Sequence, residues 1–155
     1  DVILRFASSG SIQQALLPAI RLELLLKTRL DIHILCLESD GLYGCLAQAI
    51  NCASLALIEA GIEMLDVVTA CSVGFLSLNN MQMVLDMDGT QEEQSEGSLL
   101  IATMSSLGQI THVLQIGESD VAGFKKVTLI SDSFDLFFPG CHSLCRCMSR
   151  SIKCF

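Results

Sequence analysis

Asn51 to Phe75 reads NCASLALIEAGIEMLDVVTACSVGF: a helix of small residues, a glycine stop and an apolar strand, in that order. On a 3.6-residue wheel, Cys45 to Ala60 leaves only a thin polar stripe of Gln48, Asn51 and Ser54, with Glu59 near the end. Nearly every face of such a helix needs cover, which places it in the middle of a domain. Its Ala, Cys and Ser residues let a sheet and neighbouring helices approach closely, and Gly61 after Ala60 supplies the left-handed residue that ends it. Val67 to Leu76 then reads as a buried strand.

Working outward from this pair, Asp1 to Ala7 reads as a strand and Ser8-Ser9-Gly10 as a break. Ser11 is a plausible N-cap for a helix running to about Glu23, although Pro18 lies too deep for a first turn and predicts a bend or a later start. Thr28 to Leu37 predicts a strand covered on both faces, followed by a turn over Glu38 to Tyr43. Beyond the central strand, Leu78 to Asn80 predicts a turn, Gln82 to Met87 a short strand, and Asp88 to Gly97 a polar loop. Ser98 to Met104 and Gln109 to Ile116 predict a hairpin. A last helix carries Val127, Ile130, Phe134, Phe137, Cys141, Leu144, Met148 and Ile152 at steps of three and four, kinked at Pro139-Gly140.

The 155 residues predict one domain with a sizeable core. The chain is 51% hydrophobic and 17% charged, a balance that points to a subunit with buried interfaces. A membrane span is disfavoured, because Glu59, Glu63 and Asp66 interrupt the best candidate before it reaches the ~18 apolar residues required. Of eight cysteines, Cys36, Cys45, Cys52 and Cys71 sit inside apolar segments without framework spacing, so they read as reduced core residues in a reducing compartment. Net charge is −8, and its layout matters more: residues 30 to 124 hold thirteen Asp and Glu and no Lys or Arg, so a nucleic-acid phosphate has no cationic partner there beyond His33 and His112. Any RNA contact belongs to the ends.

CASLALIEAGIEMLDVVTACSVGF (Cys52 to Phe75) resembles the central helix and strand of the RNase PH family, in particular exosome ring subunits of the bacterial RNase PH type. ALLPAIRLELLLKTRLDIHI (Ala15 to Ile34) is similar to the preceding helix, turn and strand, with Leu26-Lys27 where the family has a Pro-Lys or Pro-Arg pair. VLDMDGTQEEQSEG and SLLIATMSSLGQITHVLQIG (Val84 to Gly117) resemble its acidic turn and next hairpin. The resemblance implies an α+β fold of the ribosomal protein S5 domain 2-like type: one RNase PH-like domain over residues 1 to 155, a mixed or antiparallel sheet packed with helices, lacking the family's N-terminal hairpin.

The resemblance also implies what the site would be. Family enzymes hold inorganic phosphate at a Gly-Thr-Arg turn before the central helix; here that segment is Asp40-Gly41-Leu42-Tyr43-Gly44-Cys45, with Gly44 and no arginine. A guanidinium fork suited to phosphate is therefore absent, and a second family arginine falls at Gln13 or Gln14. Asp86, Glu92 and Glu93 fall at the acidic cluster, and Ser98 stands near an expected aspartate. These degenerate positions imply a non-catalytic structural subunit of the RNA exosome ring; the alternative is an active phosphate-dependent 3′→5′ exoribonuclease. Implied partners are other RNase PH-like subunits of a hetero-hexameric ring, cap proteins, an associated nuclease and RNA in the channel, with no membrane and no cofactor. The implied location is nucleus, nucleolus and cytoplasm.

Five smaller constellations remain. Arg5, Arg21, Lys27 and Arg29 are the candidate RNA contacts, and Arg146, Arg150 and Lys153 read as a solvated helix face. The acidic run, as well as Cys141, His142, Cys145 and Cys147, lacks the ligand spacing of a metal site, so no metal is expected. His33 and His112 read as satisfied strand histidines without a nucleophile partner.

Overall fold

The computed structural model describes residues 3–6, 10–39, 41–76 and 82–117, with only the backbone of 3–6 and 82. In chain order the elements are β1 (Ile3–Phe6), α1 (Gly10–Leu16), two 3-10 turns (Leu17–Ala19 and Leu22–Leu24), β2 (Arg29–Ile32), α2 (Leu42–Glu59), β3 (Val68–Leu76), β4 (Gln82–Leu85), α3 (Gly89–Gln94), β5 (Gly97–Met104) and β6 (Gln109–Gly117). Four strands form an antiparallel sheet in the order β4-β3-β5-β6, and β1 pairs with β2 in parallel. The fold is α+β, with α2 laid on β3 and β5 and α1 beside it.

Alternation within β3 and β5 divides the interior in two. Val68, Ala70, Leu100, Ala102 and Met104 face α2 and α1, where Ile50, Ala53, Leu57 and Leu16 are fully buried. The intervening Cys71, Val73, Phe75, Leu99 and Ile101 form a second buried cluster on the opposite face. A strand buried on both faces needs a continuous apolar run, which is how VTACSVGFL reads.

The polar stripe of α2 joins helix to sheet. β4 pairs with β3 only from Val73 to Leu76, so the backbone at Val68 and Ala70 lies beyond its end. Ser54 Oγ accepts from the Val68 amide at 3.0 Å. Asn51 Oδ1 accepts from the Ala70 amide at 2.7 Å, and Asn51 Nδ2 donates to the Ala70 carbonyl at 3.0 Å. Two side chains thus continue a ladder that none of the described strands supplies there, as buried backbone groups require. By length and mean hydropathy α2 would suffice to cross a bilayer; its docking on the sheet makes it the core helix. Gly61 takes φ +72° just past its end, the left-handed stop expected there.

Several boundaries differ from the sequence-based expectation. The helix expected from Ser11 to about Glu23 starts at Gly10 and stops at Leu16, because Pro18 cannot donate its N–H and the chain tightens into 3-10 turns. The strand expected over Thr28 to Leu37 shrinks to Arg29–Ile32 and is buried on one face only, through Leu30 and Ile32. The loop expected from Asp88 contains α3, held by a capping box: the Gln91 amide donates to Asp88 Oδ1 at 2.8 Å while the Asp88 amide donates to Gln91 Oε1 at 3.4 Å. His112 is only half-buried on β6, and its Nε2 has no partner among the described residues, where a satisfied strand histidine was expected. His33 falls in the exposed segment after β2. The predicted last helix, its CHSLCRC thiols and basic face, and the turn at Leu78 to Asn80 lie outside the described residues.

Candidate functional site

The acidic turn and the start of α2 meet because glycine lets them. After β4 the chain reverses at Asp86 (φ 53°), whose amide donates to the Ser72 carbonyl at 3.1 Å and so extends the β3 pairing by one residue. A Cβ on Gly44 would stand 2.5 Å from Asp86 Oδ1, and one on Gly41 would stand 2.7 Å from the Met87 carbonyl. At Gly41 the obstruction is backbone, so only glycine lets Met87 press against the start of α2, whereas at Gly44 a side chain would have to push the Asp86 carboxylate aside.

Glu92 completes the junction. From α3 its carboxylate spans the N-terminus of α2, Oε2 accepting from the Leu42 amide at 2.7 Å and Oε1 from the Tyr43 amide at 2.9 Å. The N-cap residue itself, Gly41, has no side chain to offer. Free amides at a helix N-terminus carry partial positive charge and attract anions; here the anion is a side chain of the same chain. Burial, with the Glu92 charge adding to it, holds the Tyr43 phenol above its ordinary pKa. Asp88 lies on the other side, its carboxyl held below the usual range by hydrogen bonds from the Gln91 amide and the Thr90 hydroxyl.

The structure therefore brings Gly44, Asp86 and Glu92 together at one helix end. Glu93 is exposed and lines a shallow groove with Glu92, Gly41 and Leu42. Ser98 is set into the sheet, buried on β5 opposite Gly74 and 3.5 Å from the Ser95 hydroxyl. The acidic run is thus not a free solvated loop: Asp88 caps α3 and Glu92 caps α2.

Beside this junction lies a cleft of about 280 Å³ between the segment after β2, the first turns of α2 and the Asp86-Met87-Asp88 turn. Cys36, Cys45 and Cys52 all line it. Cys52 and Cys71 are buried as expected, but Cys36 is exposed and Cys45 half-buried. Those two are not core residues, because β2 ends before Cys36 and Cys45 sits on the cleft side of α2. No Lys or Arg lines the cleft among the described residues.

The basic candidates sit elsewhere. Arg29 Nε contacts Asp31 at 2.7 Å, and Arg21 contacts Glu63 at 3.5 Å with both side chains largely exposed. Lys27 occupies a left-handed turn position (φ 61°), exposed to solvent. Arg5 pairs in register with Asp31 across β1 and β2. Sequence reasoning also missed Asp66: its Oδ2 accepts from the Ser106 and Leu107 amides at 2.8 and 3.2 Å, fastening the β5–β6 turn to the loop before β3.

Comparison with known proteins relates the chain to a family. The RNase PH description, domain 1 of the 3′ exoribonuclease family, matches residues 6–63. The chain is 39% identical over 111 residues to "Exosome complex component mtr3" of Schizosaccharomyces pombe, covering 70% of this chain and 43% of that protein. It is 35% identical over 135 residues to "Exosome complex component MTR3" of Mus musculus, covering 86% and 46%. With "Exosome complex component Rrp41" of Pyrobaculum neutrophilum it shares 36% over 103 residues, covering 66% and 40%. The chain thus spans less than half the length of these curated relatives. The crystal structure of rice Rrp46 has the same fold, with a TM-score of 0.69 at 18% identity over 86% of this chain and 67% of that one.

Proposed function

The chain belongs to the RNase PH family of 3′ exoribonuclease domains, and from this we propose that it serves as a non-catalytic structural subunit of an RNA exosome ring. Its relatives carry the name of exosome complex components, which supports a place among related RNase PH-like subunits, with cap proteins and an associated nuclease as further partners. RNA passes through the assembled channel toward that nuclease. Work of this kind belongs in the nucleus, the nucleolus and the cytoplasm. The domain extends over residues 1 to 155.

The observation that carries the non-catalytic reading is the Glu92 carboxylate on the Leu42 and Tyr43 amides. Phosphorolysis needs an inorganic phosphate held beside an RNA that is already a polyanion. At this helix end the two amides are taken, a negative charge occupies the position an anion would seek, and no Lys or Arg of residues 30 to 124 offsets it. Gly44, Asp86, Glu93 and Ser98 then act as packing and surface residues, while Arg5, Arg21, Lys27 and Arg29 contribute to RNA only together with neighbouring subunits.

The ring is tested by purifying the full polypeptide from its own cells through a tag and weighing the intact complex. A stoichiometric set of related RNase PH-like chains is expected. Recovery of the polypeptide alone, as a stable monomer, contradicts the assignment.

A further inference from the structure

Cys36 Sγ and Cys45 Sγ lie 3.1 Å apart at the cleft described above, one on the segment after β2 and the other on α2. We propose that these two thiols form a reversible dithiol–disulfide pair that exchanges with a small-molecule disulfide of the glutathione type. This inference stands apart from the ring assignment and from any catalytic role.

Geometry supports it first. A disulfide requires ~2.05 Å between sulfurs, so closure asks for a relative movement of roughly 1 Å. Residues 35 to 39 are exposed and belong to neither helix nor strand, so no ladder resists that movement. Cys45 is fixed on the helix, and Cys36 is the mobile partner. The hydrogen bonds are ordered in the same sense: Cys36 Sγ donates to the Glu38 carbonyl at 3.2 Å, which leaves its sulfur to accept from the Cys45 thiol.

Chemistry assigns the order of events. Cys36 is exposed at the cleft and meets the small disulfide first. Its thiolate attacks one sulfur, forming a mixed disulfide and expelling one small thiolate. Cys45, whose thiol is held above its ordinary pKa by the hydrogen bond to Cys36 and by burial, then loses its proton to solvent and attacks the Cys36 sulfur, releasing the second small thiolate. Two protein thiols give up two electrons and two protons, and the small disulfide becomes two thiols. The bond joins the segment after β2 to α2 along the wall of the cleft shared with Asp86, while Cys52, buried deeper on the same wall, stays reduced.

The test uses the full polypeptide in the assembly with which it purifies, equilibrated in glutathione buffers from reducing to oxidising and quenched with N-ethylmaleimide before peptide mass spectrometry. Cys36 and Cys45 should lose alkylation together, the joined peptides should weigh ~2 Da less than the two thiol forms, and dithiothreitol should restore both. Cys45→Ser should leave glutathione trapped on Cys36, and Cys52→Ser should change nothing. Glutathione persisting on Cys36 in the wild type overturns the proposal, as does a bond from Cys36 to any other thiol. Full alkylation of both residues in the most oxidising buffer overturns it as well.

Discussion

Asn51 and Glu92 each complete two backbone hydrogen bonds that no residue near them in sequence supplies. Removing Asn51 leaves the Ala70 N–H and C=O buried without partners. Asn51→Ala should therefore destabilise the chain by about 2–6 kcal/mol, at ~1–3 kcal/mol for each of the two orphaned groups, read as a lower denaturant midpoint with unchanged slope. Glu92→Ala removes a remote N-cap and should cost ~1–2 kcal/mol, as caps of local origin do. His112 gives the pH dependence. Burial holds its pKa below the ordinary 6.5, so the fold favours the neutral ring. Its contribution is fully present above 6.5 and is lost as pH falls below that value toward the folded pKa, because the unfolded chain binds the proton first. Between about pH 7.5 and about pH 5.5 the wild type should lose more stability than His112→Gln, measured by thermal melts in matched ionic strength.

At the scale of elements, what could be read depended on whether the cause lay within a few residues. The core of α2, its stop at Gly61 and the doubly covered β3 were legible, because periodicity and a glycine state them locally. The polar stripe was visible too, but its purpose was not, since the end of β4 decides which amides of β3 need Asn51 and Ser54. Asp88-Gly89-Thr90-Gln91 carried a readable capping signature that acidic composition obscured. Glu92 on α2 and Cys36 on Cys45 left no trace in spacing, because both are tertiary meetings. The tight contact of the acidic turn with α2 is testable at this scale. Gly44→Ala would force its methyl onto Asp86 Oδ1 and should cost about 1–3 kcal/mol. Adding Asp86→Ala should recover much of that loss, so the double-mutant cycle should show coupling of at least ~0.5 kcal/mol.

For the molecule as a whole, β6 lies at a sheet edge among the described residues and leaves Ile110, Val113 and Ile116 exposed, as are Leu35 and Leu37 after β2. An apolar edge of this sort invites pairing with another chain. The chain produced alone should aggregate, and co-production with the RNase PH-like subunits proposed as its partners should make it soluble, which sedimentation of both preparations would show. RNA binding by the chain alone should be weak and steeply salt-dependent, since few cations are available for counterion release. On the proposed reading, the Glu92 carboxylate keeps phosphate from the α2 N-terminus. Losing a preorganised charge contact of that kind typically costs ~3 kcal/mol or more of transition-state stabilisation, about a hundredfold in rate. The most direct measurement incubates the purified ring with labelled RNA and inorganic phosphate, after any associated hydrolytic nuclease has been inactivated, and compares wild type with Asp86→Ala for nucleoside diphosphate release. Neither protein should release phosphate-dependent diphosphate; diphosphate that forms with the wild type and disappears with Asp86→Ala would establish a working phosphorolytic site instead.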